Sequence, residues 1–190
     1  MDQANLVNKV VKVKFISIWI FLVPFVGINT CLILITQFHG LFPNQEDVIL
    51  NTFPYLDGGA SISRTARPYP TWLIFKPTMF LTSYLLVKYW IYNKNIIEFF
   101  SHDHKYKKRI LFFGIASAIA LTIHSIFLGI KFDNDLYKFL VRLNLACCVL
   151  FAISTKFYFV KCVKKVSETY LELKNIFFKM QYFLAHILLI

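Results

Sequence analysis

The residues best suited to chemistry in this chain are one acid and two arginines in a turn-rich stretch, Phe53–Pro70, FPYLDGGASISRTARPYP. Asp57 stands in a turn. Pro54 restricts the backbone before it, and Asp57-Gly58-Gly59 permits positive φ. SISRTAR then places Arg64 and Arg67 three residues apart, on one side if the stretch is helical. Pro68 and Pro70 close the segment. Two readings stand. In one, the segment is a compact cap in which Asp57 pairs with an arginine. In the other, it is a site for an anionic group, because guanidinium forks suit phosphate and carboxylate.

Further ionisable residues lie inside the neighbouring apolar runs: Lys76 beside Pro77, His124, and Arg142 close to Asn144. Charged or titratable groups within a membrane are candidates for function, although lysine and arginine near a span end also snorkel to the headgroups. His124 reaches less far, so it is expected to face the bundle, and a structural hydrogen bond is a simpler role for it than catalysis. Acid–base chemistry would need Asp57 to meet His124 or His39. Towards the other side, Lys156 is expected to snorkel; Lys179 and His186 fall in the last apolar segment.

The motifs of soluble enzymes are missing: there is no GxSxG, Walker A, HExxH or Rossmann glycine pattern. His102 and His104 form HDH in a basic loop, a weak metal signal, and no cofactor is implied. The four cysteines, Cys31, Cys147, Cys148 and Cys162, have no metal-type spacing and read as small apolar residues.

The elements that must position these groups are apolar. The chain has 190 residues, 57% hydrophobic and 18% aromatic, with only 16% charged. An ordinary soluble domain carries about 25% charged residues. The net charge of +11 is spread beside the apolar runs rather than along one stripe, which argues for membrane topology and against nucleic acid.

Phe15–Phe38 is a run of 24 residues without charge. As a helix it measures about 36 Å, enough to cross a hydrocarbon core of about 30 Å. Pro24 and Gly27 are tolerated in such a span. It is too long for a signal-peptide core and is expected to be a retained anchor. Thr71–Tyr92 is expected as a second span with aromatic ends, Ile110–Ile130 as a third with a small-residue face, and Phe139–Val160 as a fourth. Ile176–Ile190 begins a fifth, but its 15 residues reach only about 22 Å. A carboxylate ending inside a bilayer is costly, so we expect truncation or an early stop, the alternatives being half-insertion or packing on a partner. Ile96–Phe100 and Val163–Asn175 are expected as short interfacial helices.

Orientation follows from lysine and arginine. The N-terminus, the 93–109 loop and the 161–175 loop carry 3, 5 and 4 of them, and the 39–70 and 131–138 segments carry 2 each. That bias puts the N-terminus in the cytoplasm and the 39–70 loop outside.

This layout resembles the Frag1/DRAM/Sfk1 family, which includes the PGAP2-like proteins. The resemblance rests on FPYLDGG (Phe53–Gly59), where Pro54, Tyr55, Asp57 and Gly58 match, and on SISRTAR with the spacing to spans two to four. It covers most of the chain as architecture and only about 15 residues as motif. It implies a six-span membrane protein concerned with lipids, and no single reaction; this chain departs by stopping in the fifth segment.

The expectation is therefore an all-α polytopic membrane bundle over residues 1–190, with four full spans and an incomplete fifth. Its leading function is non-enzymatic and lipid-interacting or membrane-organising, with an outer headgroup site at Asp57, Arg64, Arg67, Lys76, His124 and Arg142. Membrane lipids are its partners. The alternatives are an accessory subunit of a larger membrane complex, and a lipid-modifying enzyme using Asp57 and His124.

Overall fold

A computed structural model describes residues 3–50, 61–100, 106–130 and 134–169. Among them every regular element is a helix: α1 (Gln3–Gln37), the short α2 (Ile62–Thr65), α3 (Trp72–Phe100), α4 (Lys107–Phe127) and α5 (Asp135–Thr169), with two 3-10 turns at His39–Leu41 and Gln45–Asp47. Local sequence accounts for several boundaries. Ser61 accepts the Arg64 backbone N–H and starts α2. Asn134 accepts from the Leu136 backbone N–H and starts α5. Gly129, at φ +90°, ends the turn after α4 in a conformation that side chains resist.

The long helices stack in chain order, α1 on α3, α3 on α4 and α4 on α5. Each neighbour pair is antiparallel. Cys31, late in α1, hydrogen-bonds the Thr71 carbonyl just before α3, while Val13 shares a buried cluster with Tyr89, Ile96 and Ile97 at the other end of α3. Two glycines allow close approach: a Cβ at Gly27 would collide with the Thr78 side chain, and one at Gly114 with the Trp90 ring. Trp90 lies edge-on to Tyr89 and Phe159, so α3, α4 and α5 lock around one indole. Small residues of α4 (Gly114, Ser117, Ala118, Ala120) are all buried. At the opposite end, Cys31, Ala66, Phe75, Met79 and Leu128 form a second cluster. Ile35, Phe42, Val48 and Ile49 form a third, with the Ile49 N–H donating to the Ile35 carbonyl.

Three described helices are long and apolar enough to cross a membrane by length and composition: residues 5–37, 107–127 and 135–162. Four full spans and a fifth are thus not obtained. The expected second span lies within α3, whose length suffices, but Lys76 and Lys88 with the intervening Thr, Ser and Tyr residues make it too polar. The expected fifth segment, 176–190, lies outside the described residues. The expected interfacial helix Ile96–Phe100 is the last turn and a half of α3. No Pro or Gly interrupts the sequence there, and Ile96 and Ile97 are buried in the core. Likewise α5 runs unbroken from the span through Thr169, where a separate helix from Val163 is expected from sequence. α1 begins well before Phe15 and passes through Pro24 without interruption.

Candidate functional site

The C-terminal end of α4 is where the expected site residues gather. Lys76, in the second turn of α3, donates from Nζ to the Ile126 carbonyl at 3.2 Å, and the same nitrogen lies 5.4 Å from the centre of the Trp72 ring. The last carbonyls of a helix have no intrahelical donors and carry the negative end of its dipole, so a lysine there closes the helix. The main chain of Arg67 rests on the turn that follows: the space a Cβ would need at Gly129 lies 3.3 Å from the Arg67 carbonyl oxygen. Leu128 and Ala66 join these two segments in the buried cluster beneath.

The helical turn of α2 ends at Thr65, so Arg64 lies inside it and Arg67 beyond it, not on one continuous helix face. Both arginines are exposed while Thr65 and Ala66 between them are buried. The segment is therefore held by its middle and offers guanidinium groups on its surface. His124 is half-buried on α4, with Nδ1 buried and lacking a hydrogen-bond partner. Its spacing places it on the same helix face as Ser117 and Ala120, whose carbonyls accept from Cys148 at 3.4 Å and from Asn144 at 2.9 Å on α5. His124 thus sits one turn beyond the polar seam between α4 and α5. Arg142 is exposed on the first turns of α5.

The structure brings the backbone of Arg67, the amine of Lys76 and the ring of His124 to the end of one helix. Arg64 and Arg142 stand at the same end of the bundle, on its surface. Asp57, with Pro54, Tyr55 and Gly58, falls in residues 51–60, outside the described residues. His39 is committed locally, its Nε2 donating to the Thr36 carbonyl at 2.8 Å. The charge around the site is mixed: Glu46 and Asp47 are exposed, and Asp135 pairs with Lys138 at 2.9 Å. Among the described residues no group of three or more His, Cys, Asp or Glu side chains is placed to hold a metal. His102 and His104 lie outside them. None of the four cysteines forms a disulfide; Cys31 and Cys162 are fully buried, Cys147 and Cys148 half-buried.

A second cationic region lies at the other end of the bundle, where the sequence shows basic 93–109 and 161–175 segments but not the contacts their side chains make. Glu98 lies 3.5 Å from both Lys94 and Lys107, tying α3 to α4. Arg109 lies 5.7 Å over the Tyr158 ring, and Lys161 lies 4.0 Å over Phe157. The available signal was positional: Arg109 and Lys161 flank the third and fourth apolar runs, which a short connection joins at their other ends. No family model matches this chain, and no curated protein or solved structure is significantly similar to it.

Proposed function

We propose that this chain is an integral membrane protein of the Frag1/DRAM/Sfk1 type that interacts with lipids or organises membrane components. In this reading α3 crosses the bilayer beside the three more apolar helices. Direction supports this. α1 and α4 are both antiparallel to α3, so if they cross in the same sense the chain returns between them through α3. Its 29 residues measure about 43 Å, ample for the crossing. Its lysines have local partners: Lys76 has the Ile126 carbonyl and the Trp72 ring, and Lys88 lies 5.5 Å over Tyr84. The lysine and arginine bias sets the N-terminus in the cytoplasm and residues 39–70 on the outer side.

The outer end then carries a site for a phosphate-bearing headgroup. The observation behind it is the contact of the Arg67 main chain with the Gly129 turn at the end of α4, the helix whose Ile126 carbonyl also receives Lys76. Arg64, Arg67 and Arg142 supply the cations, Lys76 and His124 form the floor, and Asp57 orients an arginine or a headgroup hydroxyl. The test titrates short-chain phosphatidic acid and short-chain phosphatidylcholine against the full chain in mild detergent. Phosphatidic acid is expected to raise the melting temperature more than phosphatidylcholine, and R64Q/R67Q/R142Q to reduce that difference. An undiminished difference in the triple variant removes the site.

One observation favours a second reading, an accessory subunit of a larger complex. The first half of α5 presents Leu136, Phe139, Leu140 and Leu143 away from the rest of the described chain. Purification in mild detergent separates the two: a stoichiometric companion protein supports the subunit, and bound lipid phosphate without a companion supports the lipid reading.

A further inference from the structure

We infer that the α4–α5 face at the end of the bundle remote from Arg64 and Arg67 binds the headgroup of an anionic phospholipid, its phosphate held between Arg109 and Lys161. This inference needs only that α4 and α5 cross a membrane; it does not use the site at the other end. Arg109 is the third residue of the 107–127 apolar helix, and Lys161 is the second-last residue of the 135–162 stretch. Because the two helices are antiparallel, both residues stand at one membrane boundary.

Their side chains are held in place by rings rather than by acids. Tyr158, beneath Arg109, stacks on Phe113 with centroids 5.6 Å apart and planes 8° apart, and packs on Tyr106 at 5.7 Å. Phe157, beneath Lys161, meets Tyr158 edge-on at 5.7 Å. The two rings that carry the cations are thus in edge-to-face contact, their planes 73° apart. An aromatic face holds a cation while leaving its N–H donors free for an acceptor. Both residues are exposed, and neither forms a salt bridge among the described residues. The nearby described acid, Glu98, is engaged by Lys94 and Lys107.

A second feature points to an anion at the same place. Tyr106 gives α4 no side-chain cap, so the positive end of a 21-residue helix lies beside Arg109. The apolar part of the ligand is also provided for. Phe112 is 65% exposed one turn from Arg109, and Phe157 and Leu150 are 54% and 60% exposed one and three turns from Lys161. A cationic shelf at the boundary above a strip of exposed hydrocarbon matches a phosphate joined to acyl chains. A soluble phosphate would leave that strip unused.

The experiment uses the full chain in a nonionic detergent, with phosphatidylglycerol, phosphatidylcholine or inorganic phosphate added, and counts bound lipid by native mass spectrometry. Phosphatidylglycerol is expected to be retained about thirtyfold over phosphatidylcholine, on the scale of two basic residues near an anionic headgroup. Inorganic phosphate at the same concentration is expected to leave that retention unchanged. In R64Q/R67Q, which disables the site proposed at the other end, the preference is expected to persist, and adding R109Q/K161Q, both at exposed positions and checked for a monodisperse elution profile, is expected to abolish it. Equal retention of the two lipids by R64Q/R67Q overturns the inference. So does a preference that survives the added R109Q/K161Q, or displacement of the lipid by inorganic phosphate.

Discussion

At the end where α4 stops, Lys76 turns inward and closes the helix on the Ile126 carbonyl, while Arg67 contributes its main chain to the packing against Gly129. At the end where α4 starts, Arg109 and Lys161 lie over aromatic rings and are exposed. The cations at the two ends differ in what they touch. The carbonyl takes one of the three donors of Lys76 and adds to stability, whereas a ring fixes a cation's position and takes none. The number of cations at an end therefore says little about binding there; the partners beneath them say more.

Four substitutions test that contrast. The largest effect is expected from Trp90→Ala, which empties the junction among α3, α4 and α5. Loss of a buried tryptophan costs about 3–5 kcal/mol, and thermal unfolding in detergent should show it, with the aromatic shelf of Tyr158 and Phe113 loosened as well. Lys76→Met comes next. Removing a charged donor from a helix-end carbonyl is expected to cost about 1.5–3 kcal/mol. Hydrogen exchange should rise in the backbone amides of residues 124–130 and stay unchanged in residues 107–113. If exchange rises equally at both ends, the lysine does not act locally and the contrast fails.

Asn144→Leu removes the side-chain bond from α5 to the Ala120 carbonyl. Interhelical hydrogen bonds in membranes average about 0.6 kcal/mol, so a small drop in the thermal midpoint is expected. The smallest effect belongs to Glu98→Gln. Its two lysine contacts, at 3.5 Å and about one-third exposed, are worth under about 1 kcal/mol. That variant sharpens the comparison in another way: removing the negative charge beside Lys94 and Lys107 is expected to raise retention of anionic lipid, read by the same mass-spectrometric count.

Much of the helical layout was legible because charge-free runs announce themselves. Phe15–Phe38 could be read from its length alone, and the long helices around 110–130 and 139–160 from their bounded hydropathy. α3 was legible in position but not in character. Its lysines only make sense once Ile126, fifty residues away, is seen to accept from Lys76. The supposed interfacial helices failed for a local reason: a change from apolar to charged composition does not end a helix, and neither 93–100 nor 161–169 contains a Pro or Gly to do so.

The candidate site was legible in depth more than in contact. Counting residues from the span ends placed Lys76, His124, Arg142 and Asn144 near one boundary, and the described helices put them at one end of the bundle. Which atoms meet was not readable, because those contacts join separate helices. The Gly114–Trp90 and Gly27–Thr78 approaches illustrate this: glycine within an apolar run suggests close packing, but the partner emerges only from the helix order.

In the proposed reading, in which α3 crosses the bilayer, its polarity also sets a timetable for synthesis. During translation α1 emerges first and can partition into lipid unaided, as can α4 and α5, whereas α3 emerges before α4 exists to receive Lys76. In that interval Lys76 lacks its carbonyl partner and has only the Trp72 ring of its own helix beside it. The hydrogen bond that closes α4 in the finished protein would then be the latch that commits α3 to the bilayer.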